Sequence, residues 1–120
     1  MSKAAFTVRA FGYYLLALGA VLILIPNVLL AMTFMPPTSE VWIRVVGVLV
    51  FNIGVYYIYA ARCEATAVFR ASVYARTFVL VAFAAFAVLG LAEPVLVVFG
   101  AVDFVGGLWT WKALQNGGGA

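Results

Sequence analysis

The sequence predicts an all-α integral membrane protein: an antiparallel four-helix bundle with both termini in the cytoplasm. Three observations predict it. The 120 residues are 68% hydrophobic and 9% charged, with mean hydropathy +1.18. Seven Lys and Arg plus four Asp and Glu make 11 charged side chains, too few to give a soluble domain of this size a polar skin. The apolar residues fall into four runs, each near the roughly 20 residues that cross a hydrocarbon core. The basic residues gather at one end of those runs.

The first run is Phe11 to Met35, "FGYYLLALGAVLILIPNVLLAMTFM". It is longer than a span requires, and Pro26-Asn27 is expected to kink it or divide it into a span and a short interfacial turn. It is also too long for the apolar segment of a secretory signal, and no small-residue cleavage pattern ends it. "PPTSE", Pro36 to Glu40, is a loop because two prolines forbid helix continuation. The second span is expected over residues 41–61. "RCEATAVFRAS" then brings charge back, and "EATAVFRASVYAR" is expected to lie along the cytoplasmic leaflet, its arginines near anionic headgroups. The third span covers residues 74–92. Glu93-Pro94 makes a tight turn with Pro94 suited to a first helical turn, and residues 95–114 form the fourth span. Residues 1–114 thus make one transmembrane domain, and 115–120, ending "NGGGA", a flexible tail.

Four spans put both termini on one side. Lys3, Arg9, Arg62, Arg70, Arg76 and Lys112, six of the seven basic residues, fall there, while Glu40 and Glu93 fall on the other. The positive-inside rule makes the basic side cytoplasmic. Trp42, Trp109, Trp111, Tyr13, Tyr14, Tyr57 and Tyr59 sit near span ends, where amphipathic rings prefer the interface. The expected location is a bacterial inner membrane, multi-pass, with N and C termini inside.

One acid, Asp103, lies inside the fourth span. An acid at the centre of a span costs about 2.5–3.5 kcal/mol on insertion scales, so it is expected to face inward or toward a second subunit. At 100° per residue Gly100, Asp103, Gly107 and Thr110 share one helix face, and the glycines let another backbone approach. Arg44, Val48, Asn52, Tyr56, Tyr59 and Cys63 form a stripe on the second span; Ser72, Arg76, Phe83, Ala87 and Gly90 form one on the third. With level outer ends, Asp103 and Asn52 lie about 13 Å deep, with Arg44 roughly 9 Å above and Arg76 a similar distance below. These spacings predict an internal polar cluster: Asp103 and Asn52 at its centre, one or both of Arg44 and Arg76 capping it, Tyr56 nearby. Such a cluster either fixes helix register or marks an ion, proton or ligand path. Gly12 and Gly19, like Gly47 and Gly54, are one heptad apart and read as close-packing positions.

Other chemistry is disfavoured. There is no histidine and one cysteine, Cys63, which removes the commonest general base and metal ligand and any disulfide within the chain. No nucleophile–base pair, metal cluster or phosphate loop is legible, so an enzyme is not expected, nor a cofactor or metal. No basic cluster is dense enough for nucleic acid.

The span layout, with its early kinked span, and the closing pattern "GAVDFVGGLWTWKAL" resemble small bacterial four-span membrane proteins of the DoxX and BphX kind. That resemblance implies an accessory membrane component. The expected function is accordingly non-enzymatic: an accessory subunit of a membrane complex, or a binder of an apolar ligand or lipid, its polar cluster organising the bundle. Expected partners are membrane lipid and a homo-oligomer or larger membrane complex. The alternative is a small oligomeric transporter or channel with Asp103 on the path.

Overall fold

The computed structural model describes residues 2–39 and 41–116, and among them every regular element is helical. The order is α1 (Lys3–Leu24), α2 (Pro26–Met32), α3 (Trp42–Arg62), α4 (Thr66–Val88) and α5 (Leu96–Asn116). α1, α3, α4 and α5 are each long and apolar enough to cross a membrane. Their outward residues include Leu49, Tyr74, Phe78, Val81 and Val105, all exposed. In water such a surface is an aggregation liability, whereas in hydrocarbon it is ordinary.

The helix boundaries differ from those the apolar runs suggest, for local reasons. α1 starts at Lys3 because Ser2 caps it: the Ala5 N–H donates to Ser2 Oγ at 3.0 Å. Lys3 and Arg9 are good helix formers, so charge near a terminus does not delay a helix. Pro26 divides the first run as expected, ending α1 at Leu24 and standing at the first turn of α2, where its missing N–H costs nothing. α4 begins at Thr66, eight residues before the expected third span, and "TAVFRASVYAR" is its opening turns rather than a segment apart. Phe69, Ser72 and Arg76 in that stretch are buried. At its far end Gly90, at φ +74°, stops α4 at Val88.

α2, α3 and α4 end alike. Phe34, Glu64 and Gly90 adopt positive φ just past the three helices. In each case the next N–H reaches back five residues: Met35 to Leu30 O, Ala65 to Ala60 O, Leu91 to Phe86 O. This terminus normally takes glycine; Phe34 and Glu64 hold the left-handed conformation at a steric cost of about 1–2 kcal/mol each. The expected flexible tail is helical as far as Asn116, and its remaining residues 117–120 lie outside the described residues, as does Glu40.

The chain divides into two compact units. In Arg9–Tyr59, α1 and α3 cross through two glycine pairs. A Cβ on Gly12 would stand 3.1 Å from Gly54 O, and one on Gly54 would stand 2.8 Å from Gly12 O; Gly19 and Gly47 repeat the relation at 2.8 and 3.0 Å. Position rises along α1 as it falls along α3, so the two run in opposite directions with their backbones in contact. The absent glycine side chains are what allow backbones to approach this closely. Phe11 closes one end against Tyr14 and Tyr57, at ring separations of 5.2 and 6.3 Å.

The other unit takes in Met1–Val8 and Ala60–Ala120. Its core brings Ala4, Ala5 and Val8 of α1 together with Ala60 and Ala61 of α3, Phe69 of α4 and Leu114 of α5. Phe69 is the largest of its fully buried side chains.

Candidate functional site

α4 and α5 meet along a seam set by Gly100 and Gly107. A Cβ on Gly100 would lie 3.0 Å from Leu80 Cα, and one on Gly107 would lie 3.5 Å from Arg76 Cβ and 3.8 Å from Arg76 Cδ. Asp103, on the same stripe one turn from each, is half-buried at this seam, and the Arg76 charge acts on it. Arg76 is only 2% exposed. Its stem runs past Gly107, and its Nη2 donates to Ser72 Oγ at 3.0 Å, while Ser72 donates to Phe69 O at 2.7 Å. The acid and the guanidinium thus belong to neighbouring helices with opposite charge in one low-dielectric seam.

A second polar layer lies in the same unit. Thr7 Oγ1 and Thr110 Oγ1 are 2.8 Å apart, Thr7 also reaching Ala4 O at 2.7 Å and Thr110 Gly106 O at 3.2 Å. With one proton each, Thr7 donates to Ala4 O and Thr110 to Thr7, which satisfies both hydroxyls. At the turn between α3 and α4, Ser2 N–H donates to Glu64 Oε1 at 2.8 Å and Ser2 Oγ to Oε2 at 3.2 Å. These bonds hold the Glu64 carboxyl below its ordinary value, the backbone N–H contributing most. Glu64 does for α1 what the third residue of a capping box does within one helix, although it comes from another element.

The expected cluster residues are placed as follows. Asp103 and Arg76 both belong to the α4–α5 seam, where the Arg76 charge acts on Asp103 and Arg76 also bonds Ser72 of its own helix. Arg44, Asn52 and Tyr56 belong to the other unit. Arg44 donates through Nη1 to Ile23 O, at the last turn of α1, where a cation meets the negative end of the helix dipole. Asn52 and Tyr56 stand on the exposed face of α3, away from the seam that Gly47 and Gly54 occupy. The physical reason is that one helix cannot present both stripes to α1, and the glycine stripe packs closer.

Two grooves flank the second half of α5. One, of about 710 Å³, runs between α4 and α5 past Arg70, Tyr74, Thr77, Leu108, Trp111 and Gln115. Arg70 to Thr77 spans seven residues, or about 10 Å of helix. The other, of about 480 Å³, lies between the start of α1 and the end of α5, with Lys3 and Lys112 at its rim and Phe6 and Trp109 in its wall. Those two rings meet edge to face at 6.0 Å. Among the described residues neither lining holds an Asp or Glu. Both grooves combine cationic groups with apolar and aromatic walls, which suits an amphiphile whose polar end is anionic.

By sequence Trp109 and Trp111 are interfacial rings and Tyr74 opens the third span, none of them assigned to a groove between the third and fourth spans. The available signal was the pairing of spacings, Arg70-Tyr74-Thr77 on α4 with Leu108-Trp111-Gln115 on α5, two faces that match once the helices are adjacent. Thr7 carried no such signal. Comparison with protein-family models, curated proteins and solved structures finds no match in any of the three.

Proposed function

We propose that this chain is a non-enzymatic, multi-pass protein of a bacterial inner membrane that binds a lipid with an anionic headgroup in the groove between α4 and α5, acting as an accessory component of a membrane complex. In this reading α1, α3, α4 and α5 span as an antiparallel four-helix bundle with both termini cytoplasmic, and the Thr7–Thr110 contact and the charges of Asp103 and Arg76 on neighbouring helices hold its register. The single observation that carries the reading is the composition of that groove: the cation Arg70 and the carboxamide Gln115 share its lining with Val73, Tyr74, Leu108 and Trp111. Its volume of about 710 Å³ is in the range of small-molecule sites, and a headgroup at Arg70 leaves an acyl chain along the apolar part.

The experiment is native mass spectrometry of the protein extracted in mild detergent. The wild type is expected to retain phospholipid, preferentially anionic, and the Arg70→Gln, Trp111→Ala double variant to lose it while its helix content stays unchanged. Equal retention by both, or a preference for zwitterionic lipid, overturns the proposal. A second reading, a small oligomeric transporter or channel, is favoured by one observation, the half-buried Asp103 beside the Arg76 charge.

A further inference from the structure

α3 offers its surface unequally. One face carries Gly47 and Gly54, both pressed on α1. At 100° per residue Asn52 lies about 140–160° round the helix from either glycine. Around Asn52 stand Val45, Val48, Leu49, Tyr56 and Tyr59, all exposed, Leu49 at 57% and Tyr56 at 68%. Among the described residues no hydrogen bond of the Asn52 side chain is found. Asn52 is also the midpoint of α3, ten residues from Trp42 and ten from Arg62, so about 15 Å of helix lies on either side of it. A carboxamide at that depth has two donors and an acceptor, and acyl chains can satisfy none of them.

We infer that α3 pairs with α3 of a second copy of this chain, the Asn52 carboxamides bonding to each other at the centre of the contact. Three features select a second copy over another partner. A carboxamide is its own complement, since each donates to the other's oxygen across a twofold axis. Copies inserted in the same orientation carry Asn52 at one depth, so a twofold axis along the bilayer normal brings the groups together without adjustment. Between Val45 and Tyr59 the face bears no charge with which an oppositely charged subunit would be chosen, and Arg44 is engaged at Ile23 O. The pairing needs α3 to span the membrane and needs nothing from the α4–α5 groove, so loss of lipid binding in groove variants leaves it intact.

The test is energy transfer between separately labelled copies of the full chain in liposomes, measured as the protein-to-lipid ratio falls. Wild type is expected to dimerise. Asn52→Leu weakens dimerisation about tenfold, the order that one or two interhelical hydrogen bonds carry, and Asn52→Gln keeps it near the wild-type level. Circular dichroism reports whether each variant remains folded, and no variant touches the glycine seam. In a Cys63→Ala background, Val48→Cys is expected to cross-link between copies, whereas Val46→Cys, about 120° round the helix from Asn52, is not. A wild type that stays monomeric throughout, an Asn52→Leu variant of unchanged affinity, or cross-linking from position 46 rather than 48 overturns the inference.

Discussion

The hydroxyls of Thr7 and Thr110 lie 2.8 Å apart, on residues 2% and 0% exposed, and tie the second turn of α1 to α5 across 103 positions of sequence. Each also has a carbonyl on its own helix, so losing one hydroxyl leaves the other satisfied. Thr7→Val and Thr110→Val are expected to destabilise by about 0.5–1.5 kcal/mol each. The double variant should cost less than their sum, since the shared bond is lost once. Chemical unfolding in detergent of the four members of that cycle measures the coupling. Strict additivity would mean that the contact carries no energy.

Glycine positions on the two seams differ in how much room they leave. A Cβ on Gly19 would stand 2.7 Å from Phe51 N and 2.8 Å from Gly47 O, both backbone atoms that cannot rotate away. Gly19→Ala must part α1 from α3 and is expected to cost about 1–3 kcal/mol. The Gly107 Cβ position meets Arg76 at an ordinary 3.5 Å, so Gly107→Ala should be neutral or stabilising by up to about 1 kcal/mol through helix propensity. Thermal unfolding of the pair in one detergent decides. The reverse ranking would rule out the seam geometry.

Glu64 makes the start of α1 sensitive to acid. Its folded-state pKa lies below the ordinary 4.5 through its bonds to Ser2, so folding binds the carboxylate in preference to the acid. The contribution is therefore fully present above about pH 4.5 and is lost as pH falls through the lowered folded value. Protection of residues 3–8 from amide exchange, taken relative to the intrinsic rate at each pH, should fall over that interval in the wild type. In Glu64→Gln that protection should be low throughout, with a flat profile. Persisting pH dependence in the Gln variant would assign the effect to another group.

Asp103 separates the two functional readings. Replacing it by Asn keeps its shape and removes the charge beside Arg76. If the charge holds the seam, Asp103→Asn loses about 1–3 kcal/mol in detergent unfolding, below the 3–5 kcal/mol typical of a fully buried partner because Asp103 is half-exposed. Proteoliposomes of wild type and variant should then show the same background ion flux. An intact variant that has lost a flux present in the wild type would establish the transport reading instead.

Much of the scaffold was readable from residue type and order. Four apolar runs, the break at Pro26 and the heptad glycines on α1 and α3 each depend on properties that act within one helix: hydropathy, a missing N–H, a missing side chain. Helix limits were less legible. Phe34 and Glu64 end helices in a conformation that glycine usually takes, so neither announces a stop. Glu64 to Arg76 reads as an amphipathic surface stretch because Arg70 and Arg76 sit in it, yet the two arginines meet different fates on one helix, one exposed at a groove and one buried at 2%.

The polar residues mark where reading one helix at a time ends. Sequence by itself determined that Asp103 needs shelter and that Arg76 is a candidate to provide it, since an ion's preference for company over hydrocarbon is a property of the ion. It also determined which residues share a helix face. Which face meets which neighbour was decided only in three dimensions, where glycine seams won the inner positions of α3 and α5 because backbones there come within van der Waals contact. That choice turned Arg44 to the end of α1, left Asn52 outward, and set Thr7 against Thr110, a contact that no spacing along the chain encodes.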